Sequence, residues 1–84
     1  MPPAMQGSII IPVLNEAATI AEQLRRLREQ LGTRWELIVV DGGSSDATAA
    51  RASLHCDHLL QSPAGRSKQM NAGAAVATGQ ILVF

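Results

Sequence analysis

An apolar run that ends on an acid and two glycines constrains this chain more than any other feature. Across residues 35–48 the sequence reads WELIVVDGGSSDAT. Four consecutive apolar residues, 37–40, run into Asp41, then Gly42 and Gly43, then a polar cluster and alanine-rich, helix-forming sequence. A short β-branched run that stops at a turn and is followed by a helix is one arm of a parallel α/β sheet. Such sheets receive ligands just beyond the carboxyl ends of their strands, which is where Asp41 stands.

The rest of the chain repeats the pattern. Residues 8–13 (SIIIPV) are apolar on consecutive positions, as in a strand covered on both faces, with Pro12 near the strand end, where a missing N–H is tolerated. Asn15 is placed to cap a helix reaching about Leu31. Ile20, Leu24, Leu27 and Leu31 fall on one face, Arg25, Arg26, Arg28 and Glu29 on the other, and Gly32 is the stop. The second strand is expected over 36–40, then a second helix capped by Ser44 or Ser45 and running to about Leu54, with Asp46 complementing its positive end. A weaker third strand spans 58–61, a loop with proline and glycine signals spans 62–65, and a third helix runs from Arg66 to about Ala77, closed near Gly79. Residues 80–84 (QILVF) begin a fourth strand. The order β-α-β-α-β-α-β implies a parallel sheet. Residues 1–7 read as a disordered lead. Because the sequence stops at the fourth strand, residues 8–84 read as the amino-terminal portion of a longer domain, truncated after that strand. An apolar strand left at an open edge predicts that the piece alone associates or aggregates.

Composition excludes several roles. Seven Lys and Arg balance seven Asp and Glu, so no basic field is available for a phosphate backbone, and Trp35 and Phe84 are the only aromatics for stacking bases. Nucleic acid is therefore not an expected partner. A single cysteine, Cys56, suits a reducing compartment, no secretory signal opens the chain, and its longest apolar run, 9–14, is too short to cross a bilayer. The expected location is the cytoplasm, with membrane association only through segments outside this sequence.

Three nucleotide-binding schemes use an alternating α/β half. A dinucleotide-binding unit needs a glycine-rich first turn, and the turn here, residues 12–16 (PVLNE), has no glycine. A P-loop needs GxxxxGK followed by Ser or Thr, which the sequence does not contain. The third scheme sets polar groups after two strands, Asn15 and Glu16 after the first and Asp41 after the second. An ionised acid there accepts hydrogen bonds from a ribose diol or a base N–H.

SIIIPVLNEA, ELIVVDGGSSDAT and GRSKQMNAGAAVATGQILVF, in that order and spacing, together resemble the family 2 glycosyltransferases with the GT-A fold, a Rossmann-like nucleotide-sugar-binding half. The resemblance covers residues 8–84. The pairing of DGGSSD with GRSKQMNAG is most similar to the radical-SAM/selenodomain-associated transferase subgroup. The resemblance implies transfer of a sugar from a nucleoside-diphosphate donor to an acceptor not identifiable from the sequence. It implies that Pro12, Val13, Asn15 and Glu16 border the nucleotide, that Asp41 contacts base or ribose, and that Arg66 or Lys68 lies near the donor. It also implies a divalent metal, Mg²⁺ or Mn²⁺, held by a D-x-D motif after the fourth strand, with the catalytic base further on. Both would lie beyond Phe84, so these residues alone would be inactive. One departure stands out: many relatives place a second acid after the first, and this chain has Gly42. The alternatives are a catalytically inactive nucleotide-binding module, or a nucleotidyltransferase, whose first turn is usually glycine-rich and basic.

Structural readings stand beside these. Asp41 before two glycines also suits a turn. Asp46 is accounted for by the start of a helix, Glu16 equally by that or by a ligand, and Asn15 by a cap. Arg66 and Lys68 oppose the dipole of their own helix, which suggests an anion nearby. The run His55, Cys56, Asp57, His58 lacks the spacing of a zinc site and reads as a polar loop.

Overall fold

A computed structural model describes residues 6–83, with residues 82 and 83 as backbone. Four parallel strands form one sheet in the order β3-β2-β1-β4. They are β1 (Gly7–Val13), β2 (Trp35–Asp41), β3 (His58–Gln61) and β4 (Gln80–Val83), connected by helices α1 (Ile20–Leu31), α2 (Thr48–Ala52) and α3 (Arg66–Val76). The α/β alternation and the parallel sheet are those expected from the sequence. Of the expected lead, residues 1–5 lie outside the described residues, as does Phe84. Gly7 already belongs to β1, in register with Trp35 and Gln80.

Both faces of the sheet are covered, which is why the strand sequences are continuously apolar. Successive side chains of a strand point to opposite faces. Ile9, Ile11 and Val13 of β1, with Leu37 and Val39 of β2, pack against Ile20, Leu24 and Leu27 of α1 and Ala52 of α2. Ile10, Ile38 and Val40 face the other way, against Ala72 within α3 and Ala77 just beyond its end. The chain passes from β1 through β2 to β3 along one direction of the sheet, then returns over α3 to add β4 beside β1. That reversal places α3 on the face opposite α1 and α2.

The helix boundaries differ from expectation at two places. α1 begins at Ile20, after a turn in which the Glu16 carbonyl accepts from the N–H groups of Thr19 and Ile20 (3.1 and 2.9 Å), so Asn15 caps nothing. α2 starts at Thr48, with Ala47 at its N-cap position, and stops at Ala52 instead of Leu54. Neither Ser44 nor Ser45 caps it. In both cases the polar residues that would have capped a helix are bonded to each other across two loops. Gly32 ends α1 as expected and is followed by one turn of 3-10 helix, Gly32–Arg34.

The amino-terminal half of the sheet is tied by Arg28. Its guanidinium donates to the Gly32 and Trp35 carbonyls (3.2 and 2.8 Å) and to Asp57 Oδ2 (2.7 Å), and that same oxygen accepts the Leu37 N–H at 2.7 Å. Burial opposes the charge on Asp57, but the Leu37 N–H and the Arg28 guanidinium outweigh it and hold the carboxyl below its ordinary range. Cys56 is half-buried against the α1-side core, and burial, aided by Asp57, pushes its thiol up.

Candidate nucleotide site at the carboxyl edge of the sheet

Because all four strands run the same way, β1, β2 and β3 deliver their following loops to one edge. The loop after β1 (residues 14–19) and the loop after β2 (42–47) are locked together there. Asp41, the last residue of β2, is 2% exposed. Its Oδ2 accepts the Ser44 N–H at 3.0 Å, and its Oδ1 accepts the Ser44 hydroxyl. The Ser44 hydroxyl oxygen in turn accepts the Asn15 N–H at 2.8 Å. Asn15 is the one non-glycine residue with positive φ (51°) among those described, a conformation that asparagine tolerates better than most residues. It turns the chain so that its Oδ1 accepts both the N–H and the hydroxyl of Ser45 (2.8 and 3.2 Å).

Glu16 folds back on its own loop. Its Oε2 accepts the Leu14 N–H at 3.2 Å, and its N–H donates to Thr48 Oγ1 at 2.7 Å. It lies four residues before α1, so its carboxylate is not in that helix's first turn, although its carbonyl accepts the Ile20 N–H. Asp46 sits two residues before α2. It accepts the Thr48 N–H (3.0 Å), the Thr48 hydroxyl and, across the gap, the Ala17 N–H (3.2 Å). The Thr48 hydroxyl first, then the backbone donors, hold the Asp46 carboxyl below its ordinary range. The DGGSSD segment thus serves as a bracket: Asp41 and Asp46 fix its two ends, and Asn15 threads between them.

The two other first-loop candidates contribute differently. Pro12 is partly buried in register with Val40. Val13 buries its side chain in the α1-side core, and its carbonyl accepts the Gly42 N–H at 3.0 Å, closing the last rung between β1 and β2. Arg66 and Lys68 are exposed in the first turn of α3, and among the described residues neither side chain makes a hydrogen bond or ion pair.

The residue that sequence reasoning missed is Gln69. It is 5% exposed, and its Nε2 donates to the Val13 carbonyl (3.0 Å) and the Val40 carbonyl (2.9 Å), while its Oε1 accepts the Gly65 N–H (3.3 Å). One amide thereby joins the ends of β1 and β2 to the start of α3. Gly42 is what makes room for it: a Cβ at that position would stand 2.9 Å from Gln69 Cδ. The signal in the sequence was the glycine itself, in the place where a second acid was expected.

Among the described residues no group of three His, Cys, Asp or Glu side chains could hold a metal ion, and Asp41 is already committed to Ser44. A 270 Å³ groove between Gln23, Arg26, Leu27 and Gln30 lies along the body of α1, off the strand ends. Among the described residues no helix is long and apolar enough to cross a membrane.

Comparison with known proteins gives this edge a context. Residues 8–84 match the profile of Glycosyl transferase family 2. The undecaprenyl-phosphate 4-deoxy-4-formamido-L-arabinose transferases of Salmonella paratyphi B and Salmonella newport are each 33% identical over 96% of this chain and 28% of their own length. The chain therefore spans little more than a quarter of those relatives. Among solved structures, glucosyl-3-phosphoglycerate synthase from Mycobacterium tuberculosis, in complex with Mn²⁺, UDP and glucosyl-3-phosphoglycerate, superposes with a TM-score of 0.78 at 25% identity. That match covers 92% of this chain and 32% of the synthase.

Proposed function

The chain belongs to glycosyl transferase family 2, and from that premise we propose that it forms the nucleotide-binding half of an enzyme moving a sugar from a nucleoside-diphosphate donor to an acceptor hydroxyl. One observation carries the reading. A buried carboxylate, Asp41, ends β2 at the carboxyl edge, and on the same edge the first turn of α3 bears two cations that have no partner among the described residues. A carboxylate serves the hydroxyls or N–H groups of a nucleoside, and free cations serve its diphosphate.

On this reading Asp41 accepts from base or ribose, and Pro12, Val13, Asn15 and Glu16 border the nucleoside, Val13 through backbone. Arg66 and Lys68 face the diphosphate. Mg²⁺ or Mn²⁺ belongs to the proposal, supported by the M. tuberculosis synthase, whose structure is a complex with Mn²⁺ and UDP. The residues described offer it no ligand set, so its ligands are proposed to lie beyond Phe84 and no step is assigned to it here. Residues 8–84 are accordingly proposed as part of a larger GT-A domain. Within the family, the DGGSSD bracket together with the Gly65–Gly73 block supports membership of the radical-SAM/selenodomain-associated subgroup. A cytoplasmic location is proposed, on the single cysteine and the apolar patterning.

The test is to incubate the full-length protein that carries residues 8–84 with a panel of nucleotide sugars and Mg²⁺ or Mn²⁺ and identify the products. Nucleoside diphosphate with free or transferred sugar is expected. Pyrophosphate would mark a nucleotidyltransferase, and binding without turnover an inactive nucleotide-binding module.

A further inference from the structure

We infer that Gln69 is a positioning residue for the donor site, and that Gly42 is the space it requires. The inference deepens the proposed function and rests on it. Gln69 is not read as a ligand contact, because it is 5% exposed and both its donors and one lone pair of its oxygen are engaged within the protein. Both amide hydrogens go to carbonyls of adjacent strands, and its oxygen takes the Gly65 N–H. A buried glutamine with this pattern links three elements at one point. Val13 leads directly into the loop that holds Asn15 and Glu16. Val40 precedes Asp41. Gly65 precedes the turn that carries Arg66 and Lys68.

The residues proposed to hold the nucleoside therefore sit on one side of this amide, and those proposed to hold the diphosphate sit on the other. Among the described residues no other side-chain hydrogen bond joins α3 to the ends of β1 and β2; the other contacts on that face are apolar, around Ile10, Ile38, Val40 and Ala72. Apolar packing sets the distance of the helix from the sheet, and two directional hydrogen bonds to successive strands add a constraint on its position along them. A diphosphate must bridge from the nucleoside to the cations, so a slide of α3 falls on the diphosphate and spares the nucleoside. Gly42 belongs to the same device. Any side chain there would stand within 3.1 Å of all three terminal atoms of the Gln69 amide.

The experiment is calorimetric titration of the full-length protein with UDP, GDP, CDP and dTDP, and then with the nucleoside of whichever diphosphate binds, in Mg²⁺. It is made on wild type, Gln69→Leu, Gln69→Glu, Gln69→Ala, Gly42→Ala and the double variant Gly42→Ala/Gln69→Ala. Gln69→Leu is expected to weaken the diphosphate about tenfold while the nucleoside stays within about twofold. Gly42→Ala should reproduce that loss in the wild-type background and add nothing once Gln69 is alanine. Equal weakening of nucleoside and diphosphate, or additive effects of Gly42→Ala and Gln69→Ala, would reduce Gln69 to a support of the fold and overturn the inference. Should Gln69→Leu fail to melt cooperatively, Gln69→Glu, which keeps the shape and the acceptor but loses both donors, decides by the same ratio. A wild-type protein that binds none of the four diphosphates would overturn the proposed function, and this inference with it. Binding in wild type with an unchanged ratio in the variants would overturn the inference alone.

Discussion

A carboxylate that is almost wholly buried yet held only by one serine is unusual company for an apolar strand, and Asp41 is best understood as serving two partners. Towards the protein it orders the loop after β2 through the N–H and hydroxyl of Ser44. Two bonds from Ser44 leave its acceptor capacity unfilled, since an ionised carboxylate accepts about four hydrogen bonds. Asp41→Ala is therefore expected to weaken nucleotide binding by about 1–3 kcal/mol, the worth of charged hydrogen bonds lost, read by calorimetry. Unchanged affinity would remove Asp41 from the site. Ser44→Ala should show the indirect part alone, a smaller loss in which the Asn15 N–H also loses its acceptor. At this scale the sequence was partly transparent. Asp41 was legible because the end of an apolar run in an α/β pattern has one place to be. Gln69 was not, because its partners lie 56 and 29 residues away and its meaning depends on α3 crossing two strands. A glutamine on a helix reads as surface until that crossing is known.

Between the elements, what matters is how closely α3 lies on the sheet. Gly73 rests on Ile10 so tightly that a Cβ would come within 2.6 Å of Ile10 Cγ2. Ile10 is 1% exposed with no room to yield, so Gly73→Ala is expected to destabilise by about 1–3 kcal/mol in denaturant melts, despite alanine's better helix propensity. A stability at or above wild type would mean that α3 can lift without cost. On the other face, Arg28 and Asp57 predict an acid response. The Asp57 carboxyl lies below its ordinary value in the folded state, so its contribution is full above the unfolded value, near about 4, and fades as pH falls through the lower folded one. The stability gap between wild type and Asp57→Asn should therefore be flat at neutral pH and close only in strong acid. A gap that instead closed near neutrality would contradict the geometry. Element identity was readable throughout, since strand and helix periods differ. The boundaries that failed, α1 at Asn15 and α2 at Ser44 or Ser45, failed for one reason. Capping rules weigh a polar residue against the helix next to it, and here Asn15, Ser44 and Ser45 had better partners in each other.

Taken whole, the molecule has two polar edges that differ in kind. At the amino edge Glu36 accepts from the Ser8 hydroxyl (2.8 Å) and pairs with His58 Nε2 (3.1 Å), while Ser8 Oγ also takes the Thr78 N–H (3.2 Å), so the polar groups there satisfy one another. At the carboxyl edge the loops are bracketed, but Arg66 and Lys68 have no partner among the described residues. A self-satisfied edge gains little from a ligand, and one with free charge gains much. Three stretches far apart in sequence meet at the second edge: 14–17, 42–46 and 65–69. A ligand seated there must order all three together, because Asn15, Ser44, Asp46 and Gln69 already couple them through hydrogen bonds. Amide hydrogen exchange with and without a saturating nucleoside diphosphate should accordingly slow in all three stretches at once, and leave residues 7–9, 35–37 and 57–59 close to their unliganded rates. Protection confined to one loop would mean that the bracket does not act as a unit. Protection at the amino edge instead would move the site to the opposite end of the sheet, and Asp41, Arg66 and Lys68 would revert to turn and surface residues.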